Sequence, residues 1–148
     1  MRKNKTILWY LVIALTIVAA GCKEKVPPLS ERIAKAWSPQ SVTEGSTVVF
    51  TKGGANNTRP GYANWRLTLN SSGTATYTEF DNNTFTGQWE VQGDNRLILK
   101  NLNPQPTGTG GTIEFTISDF TDAGMTLTRT TTSTKTGGTI NKYTLTNP

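Results

Sequence analysis

The stretch that decides the fold runs from Asn64 to Lys100. It begins Asn64-Trp65-Arg66-Leu67-Thr68-Leu69-Asn70, then Ser71-Ser72-Gly73, then Thr74-Ala75-Thr76-Tyr77-Thr78-Glu79-Phe80. After Asp81-Asn82-Asn83 come Thr84-Phe85-Thr86-Gly87-Gln88-Trp89-Glu90-Val91, and Gly93-Asp94-Asn95 leads into Arg96-Leu97-Ile98-Leu99-Lys100. Side chains alternate between the two faces of a strand, so Trp65, Leu67 and Leu69 share one face, as do Phe85, Gly87, Trp89 and Val91. Thr, Arg, Gln and Glu fill the other face. Short Gly/Asn/Asp/Ser clusters separate the runs, which predicts an antiparallel meander. Ala75 and Tyr77 have one parity and Phe80 the other. That break marks either a bulge near Glu79 or the end of the strand.

Composition agrees. Hydrophobic residues are 34% of the 148-residue chain, few but patterned, and 25 threonines follow Cys22. β-branched side chains suit a pleated surface, so the class is all-β. The chain has one Cys and no His, which excludes His-dependent triads, most zinc sites and an internal disulfide. We expect no metal and no cofactor.

The formal charge of +5 is carried partly by Arg2, Lys3 and Lys5, in a segment expected to be removed. The remaining twelve basic residues face ten acidic ones, a net of +2. A nearly balanced domain has no electrostatic footprint for nucleic acid.

Met1 to Lys5 is a short basic head, and Ile7 to Ala20 is an almost unbroken apolar run. The run falls short of the roughly 20 residues a bilayer span needs and ends in small residues, so it predicts a secretory signal peptide. Val18-Ala19-Ala20-Gly21-Cys22 resembles the lipobox of bacterial lipoproteins, with Ala19 where Leu is commonest. The resemblance implies that residues 1–21 are removed, that Cys22 becomes the first mature residue, and that it carries the lipid. Each buried methylene adds about 0.8 kcal/mol, so several acyl chains make a lasting anchor. Lys23-Glu24-Lys25 lacks an Asp directly after the Cys, and it resembles the charged export signal of Bacteroidetes surface lipoproteins. The expected location is the outer membrane, on its periplasmic or its cell-surface face.

Residues 22–29 are then a lipidated tether containing Pro27-Pro28, and residues 30–148 the domain. Ser30 is expected to cap a short helix over Ser30 to Ala36, with Leu29, Ile33 and Trp37 on its apolar face and one barrel mouth beneath it. Trp37 to Glu44 predicts a first strand, restricted by Pro39 to an edge or a strand start. Ser46 to Lys52 predicts a second, with Val48 and Phe50 inward. Gly53 to Ala63 and Asn101 to Gly111 are expected to be long loops. Ile113, Phe115 and Ile117 face inward on the next strand. Met125 and Leu127 do so on one that runs to about Ser133, and Tyr143 and Leu145 on the last.

A Trp at the domain start, successive short strands, and Gly87-Gln88-Trp89-Glu90-Val91 followed by Leu97-Ile98-Leu99 together resemble the small lipocalin-like domains of Bacteroidetes lipoproteins. The resemblance covers about Glu31 to Asn147. True lipocalins carry Gly-x-Trp on the first strand, whereas here Trp37 follows Lys35-Ala36. The resemblance implies an antiparallel up-and-down barrel or half-barrel of about eight strands with a short N-terminal helix. Its interior either holds one ligand or is filled by its own side chains.

Two functions follow from these residues. One is non-catalytic binding of a small apolar or glycan ligand, with Trp65, Tyr77 and Trp89 as contacts and Tyr62 and Arg59 as the loop residues with recognition chemistry. The other is a structural or interaction lipoprotein with a filled barrel and a protein or polysaccharide partner. Glu79, Asp81, Glu90, Glu114 and Asp119 are the available acid/base candidates, but strand-face carboxylates are ordinarily solvated, so we do not read the chain as an enzyme. It is expected to be monomeric. Cys22→Ala should leave an unprocessed, unacylated precursor; acylation and membrane fractionation identical to the wild type would rule out Cys22 as the anchor.

Overall fold

In a computed structural model, residues 25–148 are described. Cys22 and the signal segment lie outside them. Nine antiparallel strands form one sheet: β1 Ala36–Glu44, β2 Thr47–Thr51, β3 Arg66–Leu69, β4 Thr74–Thr78, β5 Thr84–Gln92, β6 Arg96–Asn103, β7 Ile113–Ser118, β8 Gly124–Arg129 and β9 Asn141–Thr146. From β3 to β9 each strand pairs with the next, and β1 pairs with both β3 and β9. The result is a closed eight-stranded barrel, and β2 is an extra strand on the outer half of β1. The barrel is closed, not half-open.

Register keeps the apolar face inward all the way round. Trp37 lies opposite Leu67, Leu67 opposite Tyr77, and Tyr77 opposite Phe85. Trp89 opposes Leu99, which opposes Ile113; Leu127 opposes Tyr143, which opposes Val42. A one-residue slip in any pair would turn a whole apolar set to solvent, so burial itself fixes the register. Each fully buried Leu, Ile or Phe contributes about 1.5–3 kcal/mol, far more than any exposed pair on the outer face.

Two bulges correct the simple alternation. In β2, Val42 pairs with Phe50 and Thr43 with Val48, so Val49 is the additional residue. Val49 and Phe50 are therefore buried, and Val48, expected inward, is 61% exposed. In β6, Gln88 pairs with Lys100 and Thr86 with Asn103, which leaves Gly87 facing a widened stretch at Asn101. Asn101 has φ 54°, and beyond it Leu102 turns inward although its parity differs from that of Leu97 and Leu99.

Three further elements differ from expectation. The helix, α1, is Leu29–Arg32, with Pro28 and not Ser30 at its N-cap. It stops early because Ala36 and Trp37 are already paired with β3. The Gly53–Ala63 segment is no free tip: Pro60–Asn64 is a 3-10 helix that buries Tyr62 completely. β8 ends at Arg129, short of Ser133, because residues 130–140 fold back through a 3-10 turn at Thr134–Thr136 and a bridge between Ser133 and Thr139. At the parity break near Glu79 the strand simply ends at Thr78.

The glycine in the Gly-x-Trp sequence has a direct steric cause. A Cβ on Gly87 would lie 2.6 Å from the Lys100 carbonyl oxygen and 3.0 Å from that of Asn101. Backbone cannot yield as a side chain can, so Gly87→Ala should cost about 2 kcal/mol. A urea midpoint unchanged from the wild type would show that the bulge relaxes freely.

Candidate functional site

The barrel interior is occupied by a continuous aromatic column. Trp65 stacks on Tyr143 with ring centroids 4.9 Å apart and meets Tyr77 edge-on at 5.7 Å. Tyr77 stacks on Phe85 at 6.0 Å, and Phe115 meets Tyr143 edge-on at 6.1 Å. Tyr62 joins from the 3-10 helix, 6.2 Å from Tyr143 and 5.0 Å from Phe80. Such pairs add about 0.5–1.5 kcal/mol each beyond burial. Burial pushes the Tyr62, Tyr77 and Tyr143 phenols above the usual range, so all three stay neutral. Trp65, Tyr77 and Tyr62 are thus brought together, and all are core: their exposures are 0%, 1% and 0%.

One barrel mouth is closed by ion pairs. Glu44 ends β1 pointing inward, and its carboxylate accepts a 2.8 Å hydrogen bond from the Tyr62 hydroxyl and a 2.9 Å bond from Arg59 Nε. The Arg59 guanidinium also lies 5.4 Å from the centre of the Phe80 ring. Arg59, its side chain 38% exposed, is therefore fastened to the mouth by Glu44 and is not free on a loop tip. Across the mouth, Lys135 of the 130–140 loop pairs with the buried Glu79 and, at 2.8 Å, with Asp81. Partial burial alone would raise the Asp81 carboxyl, but the hydrogen bonds from Lys135 and Asn83 outweigh it and hold it below its ordinary value of 3.8. Burial alone would lower Lys135, but the bonds to Asp81 and Glu79 hold it above its ordinary 10.5. Arg129, 5% exposed, faces inward opposite Phe115 beneath this mouth.

The other mouth lies under α1. Ile33 is fully buried and its carbonyl accepts a 3.0 Å bond from Trp37 Nε1. Arg32 pairs with Asp122 at 2.9 Å and lies 4.7 Å from the centre of the Phe120 ring. Between α1 and the β3–β4 turn is an open cleft of about 340 Å³ lined by Ser30, Glu31, Ser71, Trp89, Glu90 and Val91. Trp89 Nε1 donates to the Asn70 carbonyl at 2.9 Å, which fixes the indole at the cleft floor. Trp89 belongs to the same buried core, 8% exposed, but lies at the opposite mouth from Tyr62 and Arg59 and borders this cleft.

Glu44, Arg129, Lys135 and Tyr143 complete these arrangements without having been singled out as site residues. Parity offered a signal for three of them: Glu44 alternates with Val42, Arg129 with Met125 and Leu127, and Tyr143 with Leu145. Lys135 carried none, because its partners are more than fifty residues away in sequence.

No known protein family matches this sequence, and no curated protein does. Among solved structures the fold is similar to the crystal structure of a lipocalin-like protein from Bacteroides uniformis, with a TM-score of 0.52 and 14% identity over 79% of this chain and 99% of the other. The fold is a lipocalin-like barrel.

Lys135→Met should destabilise the domain by about 3 kcal/mol, because it leaves the Glu79 carboxylate buried without its partner. A depressed Asp81 stabilises the fold above pH 3.8 and loses that contribution as pH falls through its lower folded value. A raised Lys135 stabilises below pH 10.5 and loses its contribution as pH rises through its higher folded value. Urea midpoints measured across pH should therefore change less at both extremes in the variant; parallel curves would dismiss the ion pair as the cause.

Proposed function

We propose that this protein is an envelope lipoprotein, anchored at the outer membrane by lipid on Cys22, whose domain is a non-catalytic binding module for a small apolar or glycan ligand. The lipocalin-like barrel supports a binding role. The filled interior supports a ligand held by the outer surface and not by a deep calyx. Trp89 is packed in the core, and its 8% exposed part borders an open cleft with serine hydroxyls and carboxylates on its rim; that juxtaposition is the observation that carries this reading. The exposed part of the indole offers an apolar contact to a small apolar group or a sugar ring, while the rim groups can accept from or donate to hydroxyls.

The carboxylates support the absence of catalysis. Glu79 and Asp81 share Lys135, Glu90 pairs with Lys100, and Glu114 pairs with Arg96. Asp81 and Glu90 are held below the usual carboxylate range, Glu90 chiefly by its hydrogen bond from Lys100. A general acid needs the opposite shift. The same aromatic column favours the second reading, a filled barrel whose outside meets a protein or polysaccharide of the envelope.

The tether of residues 22–28 leads into α1 and spans about 20–25 Å when extended, which supports an orientation with the α1 mouth nearer the membrane than the Lys135 mouth.

The wild-type chain and Trp89→Phe should differ in their fluorescence response to soluble oligosaccharides or short apolar ligands. Silence in both up to about 1 mM, the weak end of measurable affinity, would remove the small-ligand reading.

A further inference from the structure

A second cleft opens where the barrel wall changes partners. β1 pairs with β3 through Ala36 and Trp37, then with β2 from Ser41 onward. The Gln40 carbonyl accepts from Lys52 N at 2.8 Å, but Ser38 and Pro39 have no backbone neighbour on that side, and Pro39 has no amide to offer one. The wall parts there, between β2 and β3, and leaves a cleft of about 290 Å³. The 3-10 helix and the Gly53 turn frame it, and Asn57 holds that turn rigid. Asn57 Oδ1 accepts from Thr51 N at 2.8 Å, and its Nδ2 donates to the Thr51 and Gly54 carbonyls.

The lining has a definite chemistry. Pro39, Phe50, Pro60 and Ala63 supply apolar surface. Lys52 and Arg66 supply two cations, and no carboxylate lines the cleft. Among the described residues neither cation has a salt-bridge partner. Arg66 is positioned by its own bonds to the Ala63 and Trp65 carbonyls, at 2.8 and 2.7 Å. The remaining observation is Ser38. It is 4% exposed, borders the cleft, and its hydroxyl is buried without a hydrogen-bond partner. A buried hydroxyl without a partner is costly, and an acceptor arriving in the cleft removes that cost.

We propose that this cleft binds a small amphipathic oxyanion: a ring or short acyl chain on Phe50 and the prolines, ending in a carboxylate or phosphate between Lys52 and Arg66. The proposal rests on the reading of the domain as a binding module and specifies a ligand class for it. Its volume sits at the lower limit for small-molecule sites, which favours a single ring or short chain over a long acyl tail. The two cations discriminate against a neutral analogue of the same shape, because the apolar surface is too small to bind well alone.

The test uses the lipidated full chain in liposomes and the single-ring photoreactive probe 4-azidobenzoate, with 4-azidobenzamide as its neutral counterpart. Adducts are mapped by mass spectrometry. The charged probe should label the peptides carrying Ser38–Pro39 and Phe50–Ala63, and the neutral one should label them about tenfold less, the loss expected for one charge-assisted hydrogen bond. Lys52→Gln and Arg66→Gln should each lower labelling to a similar extent. Ala63→Phe, an exposed change that fills the cleft, should abolish it. Competition by phenylacetate against phenyl phosphate tells a carboxylate source from a phosphate source, and 2-phenylacetamide should not compete. Adducts concentrated at the Trp89 cleft, or labelling at this cleft indifferent to Lys52, Arg66 and Ala63, would overturn the oxyanion site while leaving the binding module standing. Diffuse labelling over the whole surface would overturn both.

Discussion

Closure of the barrel through β1 is the constraint on which the other features depend. Among the described residues β1 joins the two ends of the run β3 to β9, with β3 on one side and β9 on the other. With that ring shut, every inward side chain meets another inward side chain across a strand pair, and there is no outer edge at which the apolar set could drain into solvent. The same strand has more length than β3 can cover, so its outer half takes β2 as well. Pro39 stands at the handover, opposite Leu145 of β9 on one side and without a strand partner on the other. A single strand therefore both seals the barrel and creates the opening in its wall.

What fills the ring decides where function can lie. Trp65, Tyr77, Phe85, Phe115 and Tyr143 stack or meet edge-on within the barrel, and Tyr62 is driven in from the side by the 3-10 helix. Aromatic rings pack to interior density only when they interlock, and here they do so at ring spacings of 4.9–6.2 Å. A molecule of ligand size would have to displace several of them. The surface outside the ring is less costly to use: a mouth with Trp89 at its floor and a wall cleft with two cations and no carboxylate.

The polar groups drawn inward at the far mouth follow the same logic. Glu44 and Arg129 end their strands and Glu79 directly follows β4, all three in phase with the inward face. Two of them acquire counter-ions from loops, Glu44 from Arg59 and Glu79 from Lys135. A buried carboxylate is tolerable only with such a partner, so the loops at this mouth are held down by the charges they neutralise.

Period-two alternation made the strands, their inward faces and the number of turns legible, because side-chain direction is a local property of extended backbone. The lipocalin-like resemblance of the Gly87–Leu99 region was legible for a related reason: Gly87 answers to a backbone contact with the adjacent strand, and such contacts leave a mark in sequence. Four features were not local and were decided by tertiary structure alone. Val48 and Val49 exchange faces because a bulge opposite Thr43 inserts one residue. The helix is cut to one turn because β3 claims Ala36. Trp65, Tyr77, Tyr62 and Trp89 are all core, and of the four it is Trp89 whose exposed part borders the cleft beside α1. Lys135 finds Glu79 across 56 residues. In each case the outcome depends on which segment arrives alongside, and pairing between distant segments is set by the closed ring, whose geometry no short window of sequence contains.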